Sequence, residues 1–175
     1  LDLGATGITV ATLDEAIVFI EGGFASITIA RPMVSATKWD RLFSALESHE
    51  ADVRIVADSE EGLRIAADRA TAYDKEVGIF IKIDVGLHRC GLSPEDKRLL
   101  DLAIIAQEAT HLDFRGILSH AGHAYAAGSS DEAANLAEQE RCLMLVVRDT
   151  LLANDVPVPE VSVGATPTVL ASTHF

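Results

Sequence analysis

The chain has 175 residues, 49% of them hydrophobic and 23% charged, a composition typical of a single globular domain. Its 27 acidic side chains against 14 Lys and Arg give a net charge of −13, and no cluster of basic residues stands out. These features argue against a surface for nucleic acid or for anionic membrane. Two cysteines without a CxxC motif, and the lack of a leader-like or membrane-spanning apolar run, predict a cytoplasmic protein.

Six short apolar, β-branched runs recur along the chain, and each is predicted to be a strand buried on both faces. They cover 7–11, 26–30, 53–57, 78–83, 114–118 and 161–163. Helices are predicted after the first five, over 14–23, 38–50, 60–75, 94–111 and 131–155. Strand–helix alternation at this spacing indicates right-handed βαβ units and a parallel sheet.

Three helix starts carry the pattern of a capping box, in which a hydroxyl and an acid three residues later satisfy free backbone N–H groups. The pairs are Thr12/Glu15, Ser93/Asp96 and Ser129/Glu132, with Pro94 expected at a first helical position. Thr12 and Asp14 are interpreted mainly as parts of a helix start. "ARPMV" is interpreted as structural apart from Arg31, and Trp39 as a packing residue.

Polar segments follow the predicted strands and never precede them, so they gather at the carboxyl ends of a parallel sheet. In a (β/α)8 barrel that rim carries the active site, whereas in an open doubly wound sheet only the switch point binds ligand. Chemistry on at least three strand ends favours the barrel. Because a complete barrel needs about 250 residues, we expect one incomplete domain over 1–175 that lacks two strands.

The segment "DVGLHRCG" places Asp84, His88 and Arg89 in a turn framed by Gly86 and Gly91. Arginine keeps its proton, so Arg89 is a fixed donor for a phenolate or a carboxylate. A structural alternative is that Arg89 caps a helix or pairs with Asp84.

The segment "SHAGHAY" offers His120, His123 and Tyr125 directly after a strand. HxxH spacing can bind a metal, but no neighbouring acid or cysteine completes a ligand set. We therefore favour an imidazole that packs against a flat ligand, with Tyr125 as a hydroxyl donor, while His123 is as readily a structural residue.

The segment "SVGATPT" (162–168) combines a glycine, small residues and hydroxyls after the last strand. Free backbone N–H groups and hydroxyls form anion-binding cradles, although this is neither a GxGxxG nor a Walker motif. A turn that is simply rich in small residues is the alternative.

Four segments in order, "GITVATLDEA", "IKIDVGLHRCGL", "GILSHAGHAY" and "VSVGATPT", closely resemble the D-serine dehydratase and D-threonine aldolase family. The resemblance covers essentially the whole chain. It implies fold type III of the pyridoxal phosphate enzymes, here an α/β fold that is a partial (β/α)8 TIM barrel of the alanine racemase N-terminal type. The first two strands and the C-terminal β domain of that fold are expected to lie outside this chain.

The resemblance implies roles for the matching residues. Arg89 would hydrogen-bond the phenolic oxygen of pyridoxal 5'-phosphate, and His120 would lie against its pyridine ring. Tyr125 would stand near cofactor and substrate, so that His120 and Tyr125 are the catalytic candidates within this chain. The phosphate would be held by Ser162, Gly164, Ala165 and Thr166.

Two parts of the family pattern have no match here. The family's Schiff-base lysine lies in a stretch expected before Leu1, and none of Lys38, Lys75, Lys82 or Lys97 occupies a matching motif. The family's C-terminal domain supplies a His and a Cys that bind a divalent metal, zinc or manganese. We therefore expect no metal site in this chain, and we expect it to be an inactive part of a homodimeric parent.

The resemblance favours a lyase that converts D-serine to pyruvate and ammonia. The alternatives are a D-threonine aldolase, an amino-acid racemase, a non-catalytic PLP-binding barrel, and a metal-dependent hydrolase built on His88, His120 and His123. Each of the first three acts on a small D-amino acid or binds the same cofactor, and none of them involves nucleic acid or a membrane.

Overall fold

The computed structural model describes residues 4–172, in which six strands alternate with six helices. The strands are β1 (Ile8–Val10), β2 (Ser26–Ile29), β3 (Asp52–Ala57), β4 (Val77–Lys82), β5 (Leu112–Leu118) and β6 (Glu160–Ser162). The helices are α1 (Leu13–Glu21), α2 (Ala36–Ser48), α3 (Glu60–Tyr73), α4 (Arg98–Glu108), α5 (Ser130–Leu152) and α6 (Thr166–Ala171). All six predicted strands are confirmed, each within two residues of its predicted bounds.

The strands form one sheet in chain order, β1-β2-β3-β4-β5-β6. Pairing is parallel, with Ile8 opposite Ile27, Ile27 opposite Val53, and Ile117 opposite Val161. Sequential parallel neighbours joined by helices are the topology of a (β/α) barrel wall, as the strand–helix alternation predicted. Parallel pairing also brings the carboxyl ends of adjacent strands to the same edge, which is where the polar segments lie.

The chain divides into two compact units. The first comprises the residues up to Phe80 together with Ile104–Phe114, and the second comprises Ile81–Ala103 together with the residues from Arg115 onward. In the first unit Trp39 is buried, stacks on Phe43 and donates its indole N–H to the Met33 carbonyl at 3.2 Å. Trp39 is therefore a packing residue, as predicted.

The second unit holds the last residues of β4 and β5, all of β6, and helices α5 and α6. Helix α5 buries Met144, Val147 and Leu151 at helical spacing, so these residues form the apolar face with which the helix packs onto the rest of the unit. The three polar segments singled out above all fall in this unit, so the candidate site can be described within it.

One glycine of the second unit is required by a close backbone approach. Gly116 has φ +121, and a Cβ built on it would fall far inside contact distance of the Glu160 carbonyl oxygen on the paired strand. Any larger residue at this position would push β6 away from β5.

The helix starts agree only partly with the predicted capping boxes. The Thr12 box is confirmed, since Thr12 Oγ1 accepts from Glu15 N–H and the Glu15 carboxylate accepts from Thr12 N–H. Ser129 caps α5 as predicted, but the Glu132 carboxylate accepts from Gly128 N–H, one residue before the predicted donor.

The predicted start of α4 is wrong. The helix begins at Arg98, where Asp96 Oδ1 accepts the backbone N–H at 2.9 Å, and residues 94–95 form a turn. A carboxylate is as good an N-cap as a serine, and Asp96 rather than Ser93 caps the start of this helix. The sequence prediction also missed a short 3-10 helix at Gly122–Ala126 and helix α6.

Within residues 4–172, no helix combines the length and the apolar character that a membrane crossing requires.

Candidate active site

The turn after β4 is organised by one carboxylate. Asp84 Oδ1 accepts the backbone N–H groups of Gly86 and His88, each at 3.0 Å, and Asp84 Oδ2 lies 2.9 Å from His88 Nδ1. These bonds hold His88 at φ +54, a conformation that residues other than glycine rarely adopt. Asp84 therefore pairs with His88, and the adjacent Arg89 is exposed.

The same contacts change the acidity of Asp84. Burial alone pushes its pKa up, but the backbone N–H groups of Gly86 and His88, together with the His88 ring, outweigh burial and hold the pKa below its usual range. Asp84 is consequently ionised at neutral pH and can maintain the turn that precedes Arg89.

A small cavity lies beneath this turn. Its lining includes Lys82, Asp84, Arg89, Cys90 and His120, so the arginine segment and the histidine that follows β5 meet there. Two of the predicted cofactor residues, Arg89 and His120, are thus brought to one cavity.

Lys82 is the residue that sequence reasoning set aside and that the structure places in this cavity. Its side chain is 3% exposed, and its Nζ has no hydrogen-bond partner among the described residues. Burial lowers the pKa of Lys82 to about 8, against the smaller opposing effect of Cys90. The signal in the sequence was a lysine inside an otherwise apolar strand, two residues before Asp84.

His120 is oriented from the turn after β6. Its Nδ1 lies 3.0 Å from the Gly164 carbonyl oxygen, which can only accept, so Nδ1 carries the proton in this pair. Nε2 of His120 is thereby left available on the other side of the ring. This hydrogen bond joins the segments "SHAGHAY" and "SVGATPT".

Tyr125 makes a second link between the same two segments. Its hydroxyl donates to Thr166 Oγ1 at 3.2 Å, its ring centroid is 6.5 Å from that of His120, and the side chain is 63% exposed. The structure therefore gathers His120, Tyr125, Gly164 and Thr166 into one cluster.

The turn at 162–168 is shaped for small groups but is not entirely free. Gly164 has φ +125, and a Cβ there would come within 3.0 Å of Val169 Cγ2, so a side chain at this position is disfavoured. The Ala165 N–H donates to Thr168 Oγ1 at 2.8 Å, so this N–H is already used to start α6. Ser162 is the last residue of β6, and its backbone carbonyl oxygen accepts Ser119 N–H at 2.9 Å.

His123 packs against the arginine segment. A Cβ on Gly86 would lie 3.2 Å from His123 Cε1, so the imidazole rests on the bare backbone of Gly86. This contact supports a structural role for His123, whose buried Nδ1 has no hydrogen-bond partner within residues 4–172. The part of the chain that the structure describes holds no group of three or more His, Cys, Asp or Glu side chains placed to bind a metal.

Behind the cluster lies a buried pair that the sequence did not reveal. Ser119 Oγ donates to Glu140 Oε1 at 2.6 Å, and both residues are 3% exposed. Glu140 also favours the charged form of Lys82. The only indication of this pair in the sequence was a glutamate on the side of α5 that faces inward.

Comparisons with known proteins agree with this fold. A family model described as alanine racemase, N-terminal domain, matches residues 1–175. D-threo-3-hydroxyaspartate dehydratase of Delftia sp. (strain HT23) is 34% identical over 98% of this chain and 45% of its own length. D-serine dehydratase of Dictyostelium discoideum is 29% identical over 92% of this chain and 42% of its own length. An uncharacterised protein of Mycobacterium tuberculosis, Rv1413, is 32% identical over 91% of this chain and 90% of its own length.

Solved structures give the same result for the backbone. The Delftia dehydratase superposes with a TM-score of 0.88 at 30% identity, covering 98% of this chain and 45% of that chain. A D-threonine aldolase from Filomicrobium marinum has a TM-score of 0.87 at 21% identity, covering 97% of this chain and 46% of that chain, and supports the fold alone. A cysteine-to-alanine variant of the Delftia enzyme is described in its metal-free form. The chain spans less than half the length of the characterised enzymes it matches.

Proposed function

Since this chain belongs to the alanine racemase N-terminal domain family, we propose that it forms the cofactor-binding part of a pyridoxal-phosphate-dependent lyase that acts on β-hydroxy D-amino acids. The reaction we propose is dehydration, with D-serine as substrate and pyruvate and ammonia as products. Relatives named as a D-threo-3-hydroxyaspartate dehydratase and a D-serine dehydratase support this reaction class.

The observation that carries the proposal is the meeting of three strand ends in one unit. Arg89 and His120 line one cavity, His120 bonds to Gly164, and Tyr125 bonds to Thr166. A fixed cation, an oriented flat ring and a turn that disfavours a side chain are groups that suit a planar, phosphorylated cofactor.

The residues present fit pyridoxal phosphate. Arg89 would donate to its phenolic oxygen, His120 would support the ring, and the phosphate would meet Gly164, Thr166 and Ser162. When bound, the cofactor would supply a ring that withdraws electrons from Cα of the amino acid. Because its N–H is taken by Thr168, Ala165 would contribute shape rather than a hydrogen bond in the arrangement described here.

The chain's own side chains would then position the reacting groups. The protonated Nδ1 of His120 is bound by the Gly164 carbonyl, so this imidazole is held in one orientation with Nε2 unprotonated when the ring is neutral. The Tyr125 hydroxyl lies at the exposed side of the cluster, where it can hold or pass a proton at the substrate. The lysine that carries the cofactor, and the divalent metal that assists loss of the β-hydroxyl, are proposed to lie outside residues 1–175.

The test uses the full-length protein that contains this chain. It is incubated with pyridoxal phosphate, reduced with borohydride and digested, and the modified lysine is located by mass spectrometry. The proposal expects a label on a lysine outside residues 1–175. A label on Lys82, or no label at all, contradicts the proposed arrangement.

Product analysis separates dehydration from the aldolase alternative. That alternative is supported by a relative named 3-hydroxy-D-aspartate aldolase, which is 29% identical over 71% of this chain. With D-threonine, a dehydratase forms a 2-oxo acid and ammonia, whereas an aldolase forms glycine and acetaldehyde.

Arg89→Met should weaken cofactor binding by about tenfold or more, since a charge-assisted hydrogen bond contributes roughly 1.5–3 kcal/mol. Arg98→Met, which removes an exposed cation paired with Asp96, is the matched control.

A further inference from the structure

Lys82 and Cys90 line the same small cavity, although they belong to different parts of the β4 segment. Lys82 is the last residue of β4, and Cys90 directly follows Arg89 in the turn after this strand. Backbone hydrogen bonds close this turn, because Leu92 N–H donates to the Lys82 carbonyl at 2.9 Å and Asp84 N–H donates to the Leu92 carbonyl at 2.8 Å. The turn therefore holds Cys90 beside the strand residue that carries the amine.

The Lys82 amine is in an unusual state for a lysine. The residue is only 3% exposed, and its Nζ has no hydrogen-bond partner among the described residues. Lys82 lines the same cavity as Cys90. Since burial lowers its pKa to about 8, roughly a tenth of the amine is neutral and nucleophilic at pH 7. Buried amines without a partner are rare, and this one has no structural task in the described contacts.

Cys90 differs from the second cysteine of the chain. Both are free thiols, but Cys90 is half-buried at the cavity, whereas Cys142 is exposed on α5 and donates to Glu138. Cys90 is partly accessible to a small oxidant, and it shares its cavity with the Lys82 amine, which can react with an oxidised sulfur. Cys142 serves as an internal reference, because its contact is a carboxylate.

We propose that Lys82 and Cys90 form an oxidation-sensitive pair, in which a peroxide converts the Cys90 thiol to a sulfenic acid that the Lys82 amine then traps as a sulfenamide. In the first step hydrogen peroxide takes two electrons from sulfur, and its O–O bond breaks to give the sulfenic acid and water. In the second step the neutral amine forms an S–N bond, the S–O bond breaks, and hydroxide leaves with the amine proton as water. Sulfenic acids condense reversibly with a backbone nitrogen to give a sulfenamide, and the Lys82 amine would take the place of that nitrogen here.

The bond would tie the strand to the turn that carries Arg89. It would fix the arginine segment in one arrangement and protect Cys90 from irreversible oxidation to sulfinic acid. This chemistry needs no cofactor, so it stands whether or not the proposed lyase function is correct.

The test treats the protein, folded and without cofactor, with a modest excess of hydrogen peroxide, then digests it with trypsin and analyses it by mass spectrometry. We expect the peptide containing Lys82 to be joined to the peptide that begins at Cys90, lighter than the sum of the two by two hydrogens. Dithiothreitol should restore the separate peptides. Cys142 should form only sulfenic and sulfinic acids.

Two variants sharpen the result. Lys82→Met removes the amine and keeps an apolar stem, so Cys90 should proceed to sulfinic acid several times faster than in the wild type. Cys90→Ser should abolish the joined peptides and leave the oxidation of Cys142 unchanged. The proposal is overturned if wild-type Cys90 accumulates as unlinked sulfinic acid, or if Cys90 reaches sulfinic acid at the same rate with and without Lys82.

Discussion

At the scale of single residues, Asp84 does the most organising in the second unit. One carboxylate satisfies two backbone N–H groups and an imidazole, and so maintains a left-handed residue directly before Arg89. An aspartate side chain is short enough to bond its own backbone two and four residues on, which is why this residue type occurs at such turns. The sequence marked Asp84 as polar chemistry at a strand end but did not distinguish a positioning role from a catalytic one.

Asp84→Asn should destabilise the protein by about 1 kcal/mol at neutral pH, because the amide keeps an acceptor but loses the charge-assisted part of its bonds. The lowered pKa of Asp84 fixes the pH dependence. Its stabilisation is present above the usual carboxyl pKa of about 4 and is lost as pH falls through the lower folded-state pKa.

Urea unfolding of wild type and Asp84→Asn from pH 7 down to pH 3 measures this difference. The two unfolding free energies should converge in acid. Asp155→Asn is the control, since Asp155 is exposed and left-handed, a conformation that asparagine also accepts. A difference that stays constant with pH would show that ionisation of Asp84 plays no part.

At neutral pH the buried charge of Lys82 has the opposite effect to that of Asp84, because it lowers the stability of the folded state. Its folded-state pKa of about 8 lies below the ordinary lysine value of 10.5, so at neutral pH the folded state must bury a charge that the unfolded state exposes. Stability should therefore rise as pH increases from about 8 to about 10.5, by at most roughly 3 kcal/mol.

Lys82→Met removes this cost. The variant should be more stable than wild type at pH 7, and the advantage should shrink toward pH 10. Guanidinium unfolding at the two pH values measures both quantities. Lys97→Met, at an exposed position, should show no such pH-dependent gain.

At the scale of elements, the strands were predictable and the loop-to-helix boundaries were not. Buried parallel strands consist of continuous apolar runs, and β4, buried along its whole length, is the clearest example. The start of α4 was misassigned because Ser93 and Asp96 both fit a cap, and local pattern alone does not rank them. Helix α6 escaped prediction because its six residues are too few to show a helical period.

Gly116→Ala should weaken the β5–β6 pairing. The residue has φ +121, and its missing Cβ makes room for the Glu160 carbonyl, so a methyl group adds both backbone strain and a steric clash. We expect a loss of about 2 kcal/mol or more in the free energy of unfolding.

Thermal unfolding followed by circular dichroism checks this loss. Gly128→Ala is the matched control, because the nearest atom to its Cβ is Glu132 Oε2 at 3.5 Å, an ordinary contact. Equal melting temperatures for the two variants would contradict the close-approach argument.

At the scale of the whole molecule, charge and exposed apolar surface act in opposite directions. The net charge of −13 disfavours self-association through repulsion. Against it stand large apolar side chains on the surface, with Tyr125 63%, Val169 49% and Leu170 82% exposed. We therefore expect the 175-residue chain to self-associate, and more strongly as salt screens its charge.

Sedimentation velocity at low and high sodium chloride concentrations measures this association. Leu170→Ser should reduce it, whereas Val18→Ser, which removes a comparably exposed side chain from α1, should not. A chain that remains monomeric at all salt concentrations would contradict the prediction.

The members of the candidate site could be predicted, but their connections could not. Each of Arg89, His120 and Tyr125 announces itself as polar chemistry after an apolar strand. The hydrogen bonds from His120 to Gly164 and from Tyr125 to Thr166 join residues 44 and 41 positions apart, and no local pattern encodes such a pairing. Lys82 and Glu140 were missed for a related reason, since burial of a charge is decided by the packing around it.

These sequence separations also determine the order in which the contacts of the site can form during synthesis on the ribosome. The Asp84–His88 turn spans 4 positions and can form as soon as its own residues emerge. The Ser119–Glu140 bond must wait until α5 has been made, 21 positions later, and the orientation of His120 waits for Gly164, 44 positions later. A nascent chain can therefore hold a complete arginine turn long before His120 is oriented, and a ribosome that pauses before residue 164 holds a chain whose His120 still lacks the Gly164 carbonyl.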